Sequence, residues 1–356
     1  MNVTSNPLVS IVTPVYNEEE HLAECIESVL AQTYQNWDYT IIDNCSSDRS
    51  LEIARHYAAA DARIRVHANT HFLEMLANHN VAVRQISPAS KYCKVVLGDD
   101  WIFPRCLEQM VAVAEGCPSV GIVSAYELCG QEVRMKGLPA EQTLVSGREA
   151  CRQFLLDKPP LFGSQNSVLY RADFVRNRSP FYVETNRYAD FEACFAVLRT
   201  SDLGFAHEIL TFSRPRPTSI GAISADMGAH YGSMFDILFS YGRDCLGPEE
   251  FEQCSARHLS QYYGFLGRRL WVDRDPEFWS YHRNTFARAG IPFSRLRLTR
   301  TAIGELCASV LHPRSMAESV RRFFALRRIR NREARKVILE ASTGPCLGQH
   351  GGDYTA

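Results

Sequence analysis

Apolar residues in the first third of the chain fall into short dense runs, separated by stretches where they recur every third or fourth position. Leu8 to Val12 is such a run, broken only by Ser10 and stopped by Thr13-Pro14, which reads as a buried strand. Leu22, Cys25, Ile26, Val29 and Leu30 then share one face of a helix, with Asn17 as its cap and Glu20 completing a capping box. Thr40-Ile41-Ile42 forms a second strand ending at Asp43, and Asp48 caps a helix through Leu51, Ala54 and Tyr57. Arg63 to Val66 offers a third strand, and residues 72–86 suit a helix. Val95-Val96-Leu97 is the fourth strand, Pro104 to Glu115 a helix closed by Gly116, and Val120 to Val123 a fifth strand. Strands alternating with helices at these lengths predict right-handed crossovers, hence an α/β fold with a mostly parallel sheet and helices on both faces.

In such sheets ligands bind beyond the carboxyl ends of the strands. Three polar clusters obey that rule. Pro14-Val15-Tyr16-Asn17-Glu18 follows strand one, Asp43 to Asp48 follows strand two, and Gly98-Asp99-Asp100 follows strand four. No GxGxxG follows the first strand and no GxxxxGK[ST] loop occurs, so a phosphate-bearing ligand would need a cation. Composition narrows the field by exclusion. The net charge of −1 over 356 residues gives no argument for a nucleic-acid partner. The 12 cysteines are scattered without zinc spacing and read as reduced thiols. The N-terminus lacks the pattern of a signal peptide and no run of 18 apolar residues appears, so a cytoplasmic protein without a transmembrane span is expected.

The segments VSIVTPVYNEEEHLAECIESVLAQTY, IIDNCSSDRS and KYCKVVLGDDW, in that order and spacing, resemble the nucleotide-sugar half of the family 2 glycosyltransferases. The resemblance runs through about residues 8–215 and implies a Rossmann-like GT-A fold. It implies a nucleoside-diphosphate sugar donor, with a UDP-sugar the first expectation, a divalent Mn²⁺ or Mg²⁺, and inverting transfer to a hydroxyl acceptor. Carried over residue by residue, it places Thr13, Pro14, Tyr16 and Glu18 around base and ribose and Asp43 on the base edge. Asp99 then faces the ribose or metal, and Asp100 the metal. Physical chemistry is compatible with each assignment. A tyrosine face can stack on a base, an aspartate can accept from a base imino group, and adjacent carboxylates are the hard oxygen ligands these cations take. The family writes the metal motif with an acid where Gly98 stands here, which leaves open which carboxylate touches the metal.

A base for the acceptor hydroxyl is expected downstream. Asp190 opens an apolar-faced helix through Phe191, Cys194, Phe195 and Leu198, where the helix dipole should lower its pKa, with Glu192 as the substitute. The resemblance implies an acidic pair or a single Asp before such a helix, and Ala189-Asp190 resembles that motif with its first acid lost. Upstream, Gly163, Ser164, Gln165 and Asn166 resemble the acceptor-side loop, while Arg214 or Arg216 could reach donor phosphates. The expected organisation is a catalytic domain over 1–225, with its donor half near 1–103 and acceptor half near 104–225. A helical C-terminal extension follows over 226–340, and then a disordered tail over 341–356. Residues 314–336 hold eight Arg and one Lys against two Glu, so a basic helix there could meet an anionic membrane, as a lipid-linked saccharide acceptor would require. The rival readings are a nucleotidyltransferase that makes sugar nucleotides and a catalytically degenerate binding or scaffold subunit.

Overall fold

The computed structural model describes residues 6–215, 228–271, 273 and 275–311. The chain divides into two compact units, one of Met1–Tyr262 with Asp275–Phe293, the other of Tyr263–Arg274 with Ser294–Ala356. Arg216, the basic stretch 314–336 and the tail 341–356 lie outside the described residues.

The first unit is built on one ten-stranded sheet, whose main path runs β3-β2-β1-β4-β9-β6-β10-β5. Its opening strands are β1 (Val9–Val15), β2 (Trp37–Asp43), β3 (Ile64–Ala68) and β4 (Tyr92–Val95). All four run parallel, with Val15 level with Asp43 and Val12 level with Val95. The fourth strand thus starts earlier than its Val-Val-Leu run suggests, because Lys94 is buried in it as well. β9 (Val168–Arg171) then enters antiparallel between β4 and β6 (Val120–Cys129), and β10 (Asp202–Ser213) pairs parallel with β6. β1 to β4, β6 and β10 therefore share one direction, which gives the mostly parallel sheet expected. The two-residue β5 (Trp101–Ile102) and the short β7 (Glu132–Arg134) and β8 (Leu144–Ser146) complete it.

Helices cover both faces. α1 (Leu22–Leu30), α2 (Ser50–Ala60) and α4 (Cys106–Gly116) enclose a core around Ile11, Tyr39, Ile41, Val96 and Val123. On the other face α3 (Met75–Arg84), α5 (Gly147–Leu155), α7 (Ala189–Leu198) and α8 (Ala229–Cys245) enclose Val12, Ile42, Cys93, Ile122 and Phe205. Alternate strand residues go to opposite clusters, as a two-residue strand period requires. Each fully buried Val or Ile there contributes roughly 1.5–3 kcal/mol. A short α6 (Ala172–Arg176) follows β9 directly. The described cysteines are all free thiols, most of them buried in these cores.

The helical C-terminal part comprises α8, α9 (Pro248–Arg269), α10 (Pro276–Arg288) and α11 (Arg295–Leu311). α10 is capped by Asp275, whose carboxylate accepts from the Glu277 N–H, with Pro276 at the first helical position. In the second unit Gly267 lets α11 come close, since a Cβ there would lie 3.1 Å from the Ala302 backbone nitrogen. The Ser294 N–H donates to the Tyr263 hydroxyl at 2.7 Å, and Arg268 pairs with Glu305 at 2.9 Å.

Candidate functional site

Loops leaving β1, β2 and β4 meet at one edge of the sheet. The first two are stitched together by the backbone. The Asn44 N–H donates to the Val15 carbonyl at 2.9 Å, the Ser47 N–H to Asn17 Oδ1 at 2.8 Å, the Glu18 N–H to Ser50 Oγ at 2.8 Å and the Glu19 N–H to Asp48 Oδ2 at 2.9 Å. Asn17 therefore does not cap a helix as its spacing to Glu20 suggested. Its φ of 54° is left-handed, whereas an N-cap needs an extended backbone, and α1 starts only at Leu22 without a side-chain cap. Asp48 does serve α2, accepting from the Ser50 N–H at 2.9 Å. The third loop is held against the first at Gly98, where a Cβ would lie 3.3 Å from Glu18 Cγ and 3.5 Å from Val15 Cγ2. A side chain at this position would need the Glu18 side chain to give slightly.

Asp43, at the end of β2, is 2% exposed, and its Oδ2 accepts from the Ser46 N–H at 3.3 Å. Its Oδ1 is buried with no hydrogen-bond partner among the described residues. A buried carboxylate oxygen left open in this way is costly unless something outside the chain fills it. Tyr16 stands exposed at the same edge, edge-on to the exposed Phe72 with ring centroids 5.0 Å apart. Thr13 and Pro14 lie within β1. Both are buried, and Thr13 Oγ1 lies 2.8 Å from the Tyr39 hydroxyl.

Asp100 is 4% exposed and tied to the end of β10: Oδ1 accepts from the Arg214 N–H at 2.8 Å and Oδ2 lies 3.2 Å from Ser213 Oγ. Burial pushes its carboxyl up to about 8, with the neighbouring Asp99 charge next and Glu127 adding to it, against the Arg214 N–H. The Trp-Ile after the aspartates explains this attachment. Trp101 pairs with Phe212 across β5 and β10, and their rings stack 3.5 Å apart and nearly parallel at 10°. Arg214 lies over Trp101, donates through Nε to the Asp99 carbonyl at 3.2 Å and pairs with Glu24 at 2.7 Å. It thus sits beside both aspartates.

Asp190 lies in the first turn of α7, half-buried among Tyr170, Tyr182, Tyr188 and Cys194, and accepts from the Phe191 N–H at 2.9 Å. The expected lowering of its pKa is overturned. Desolvation outweighs the helix-end hydrogen bonds and holds the carboxyl up at about 6. Glu192 is engaged elsewhere. It is buried, paired with Arg178 at 2.6 Å, and accepts from the Tyr241 hydroxyl. Of the acceptor-loop residues, Asn166 is fully buried and donates through Nδ2 to the Phe212 carbonyl at 2.9 Å, and Gln165 is buried beside His79. Their side chains are therefore not open to a sugar in this conformation. Ser164 is partly exposed and donates to Glu127 Oε1 at 2.5 Å.

Two charged residues at the centre were not singled out from the sequence. Lys94, 0% exposed in β4, donates to the carbonyls of Asn166 and of Val168, the latter at 3.2 Å, and burial lowers its pKa. Glu127, 1% exposed in β6, accepts from both Ser164 and Ser213. A lysine and a glutamate inside apolar strands are themselves the signal, since such residues are rarely buried without a partner.

The carboxylates at this edge suit a divalent cation. Among the described residues no group of three or more His, Cys, Asp or Glu could hold one unaided. Mg²⁺ and Mn²⁺, however, are commonly held by one or two carboxylates with phosphate oxygens and water. Asp100, kept neutral by burial and by Asp99, is a donor that a cation would ionise. A separate groove of about 660 Å³, lined by Phe239, Phe251, Leu259, Arg148 and Arg243 among others, shares none of these residues.

This mostly parallel sheet with helices on both faces has the architecture of GT-A glycosyltransferase structures. Residues 10–178 match the model for glycosyl transferase family 2. The chain is 35% identical over 136 residues to EpsE of Bacillus subtilis (strain 168), provisionally named a glycosyltransferase, covering 38% of this chain and 48% of that one. The chain thus spans about half or less of the length of the curated relatives it matches. Among solved structures, S. aureus TarS 1–349 aligns with a TM-score of 0.58 at 16% identity, over 83% of this chain and 88% of that one. The mannosyltransferase PcManGT of Pyrobaculum calidifontis, in complex with GDP-Man and Mn²⁺, aligns at 0.52 and 13% identity, over 92% and 88%. At these identities the structures speak for the fold alone. Among the described residues no helix is long and apolar enough to cross a membrane.

Proposed function

We propose that the protein is an inverting glycosyltransferase that moves one sugar from a nucleoside-diphosphate donor to a hydroxyl acceptor in polysaccharide or glycoconjugate assembly. The observation that carries this reading is the buried carboxylate of Asp100, next to Asp99 at the sheet rim and held by the Arg214 N–H and Ser213 at the end of β10. TarS has been solved with UDP-GlcNAc, which supports a UDP-sugar as the donor to try first.

Tyr16 and Phe72 offer ring faces and edges to the base, and the open Oδ1 of Asp43 accepts its imino hydrogen. Asp100 and Asp99 would hold Mn²⁺ or Mg²⁺, which when bound offsets charge on the departing diphosphate. Arg214, next to both aspartates, turns to the phosphates once released from Glu24. Asp190 takes the proton of the acceptor hydroxyl as its oxygen attacks the anomeric carbon opposite the leaving group. A carboxyl held near 6 is ionised at neutral pH yet still basic enough for that task.

The test is a panel of nucleotide sugars screened with and without Mn²⁺ for thermal stabilisation, on the native protein and on Asp100→Asn. One donor should stabilise the native protein only with the cation, and the variant should lose that response. A donor response of equal size in the variant would remove Asp100 from the site, and stabilisation by no nucleotide sugar, with or without Mn²⁺, would reject the reading.

A further inference from the structure

Away from the rim, α8 and α9 are joined by a short turn, Leu246-Gly247, that opens onto the groove of about 660 Å³. Its floor is apolar. Phe251 packs edge-on to Phe239, with ring centroids 5.8 Å apart at 84°, and Leu259 and Ile291 complete the lining while half-open to solvent. Small-molecule sites occupy about 300–1,000 Å³, so the groove has the size of one. At the turn it runs into a second hollow of about 440 Å³, and the two share Arg148 and Gly247. The second hollow differs in character. Ser146, Glu149, Arg152 and Glu250 line it, and Arg152 pairs with both glutamates. An apolar channel thus meets a polar one, with Arg148 at the junction.

Charge at this junction is not balanced from within. Arg152, Arg199 and Arg257 each pair with a carboxylate, of Glu250, Asp244 and Asp157 in turn. Arg148 and Arg243 pair with none among the described residues. The Arg148 Nε donates to the Cys245 carbonyl at 3.3 Å, and the Arg243 guanidinium lies 4.4 Å from the centre of the Phe251 ring. Both side chains are exposed and both line the groove, against one carboxylate, Glu252, among its lining residues. Two unpaired guanidiniums beside an apolar channel fit an anion carried on an apolar chain, and their planar forks favour phosphate. We propose that this groove binds a lipid phosphate, with its chain along Phe239, Phe251, Leu259 and Ile291 and its phosphate on Arg148 and Arg243. The basic stretch 314–336 has the wrong sign to be the occupant, since its eight Arg and one Lys would meet two further guanidiniums. The groove shares no residue with the rim, so the inference stands apart from the proposed function.

The test titrates decyl phosphate, inorganic phosphate and decyl maltoside, each below its micelle concentration, into the full chain by calorimetry. Decyl phosphate should bind, and the other two about tenfold more weakly or less tightly still, because each lacks one half of the match. The double variant Arg148→Gln, Arg243→Gln should weaken decyl phosphate by about tenfold or more, through loss of charge-assisted hydrogen bonds. Both positions are exposed, so the variant should fold. Ala256→Trp fills the channel from an exposed lining position, keeps both arginines and should weaken binding as well. Absence of decyl phosphate binding overturns the proposal, as does an affinity unchanged in either variant. Inorganic phosphate bound as tightly would make this a plain anion site, and decyl maltoside bound as tightly an unselective apolar one; either result overturns it too. So would sedimentation in which the native chain dimerises and Ala256→Trp stays monomeric, which would make the groove a contact between copies. No nucleotide sugar enters these titrations, so a protein that binds no donor would reject the proposed function while the groove is still decided.

Discussion

Replacing Asp190 with Asn should make the protein more stable and less active at once. The carboxyl is displaced from 3.8 to about 6, which at about 1.4 kcal/mol per unit is roughly 3 kcal/mol. The folded state holds the proton more tightly than the unfolded chain, so this contribution is fully present below pH 3.8 and is lost as pH rises through about 6. At pH 7 the native protein therefore carries an ionised carboxylate in a poorly solvated place, a penalty that Asn does not incur. Because Asp190 is only half-buried, solvent screening reduces the gain to about 1–2 kcal/mol, or about 2–4 °C in Tm. Asn still offers an oxygen to the Phe191 N–H, so no hydrogen bond is lost. Melting curves of both proteins from pH 4 to 8 should coincide at the acid end and separate above pH 6, while turnover falls by about 10²-fold or more. A variant less stable than the native protein at pH 7, or a difference that does not change with pH, would refute the reasoning.

The native enzyme's kcat should fall away below about pH 6 as Asp190 takes up its proton, and a profile flat from pH 5 to 8 would remove it as the base. Glu192→Ala should do the reverse of Asp190→Asn, costing about 3–5 kcal/mol in denaturant unfolding because Arg178 and Tyr241 are left without their buried partner. Turnover lost from a Glu192 variant of intact stability would make that residue the base instead. Tyr16→Ala should leave Tm unchanged, since the ring is exposed, and weaken nucleoside-diphosphate binding in calorimetry by about tenfold, the stacking of one base. Equal affinities would place the base elsewhere.

The donor half was legible in the sequence because its strands are short apolar runs ending in polar residues, so the rim follows from the strand ends alone. The runs did not reveal how far β4 and β6 extend, since Lys94 and Glu127 look like strand breakers until the sheet supplies their partners. Asn17 misled for a local reason. Its spacing to Glu20 fits a capping box, but the hydrogen bonds that win come from Ser46 and Ser47, thirty residues on, which no local pattern contains. The direction of the Asp190 shift was missed because a helix dipole is visible in sequence and the surrounding tyrosines are not. β9, the antiparallel insertion, and the Trp101–Phe212 stack depend on pairings between distant segments and leave no periodic trace.

The mutual stitching of the loops after β1 and β2 bears on how a ligand is received. Their amides are satisfied by Ser46, Ser50, Asp48 and Asn17, so these loops keep their conformation without any guest. The conformational entropy of ordering them is spent during folding, and binding a nucleotide need not supply it again. Recognition on this side should resemble a key entering a rigid lock, with association limited by diffusion and orientation and little rearrangement afterwards. Selectivity among bases then resides in the shape of a fixed slot, so changing it calls for altered side chains at Tyr16, Phe72 and Asp43 and leaves the loops as they are.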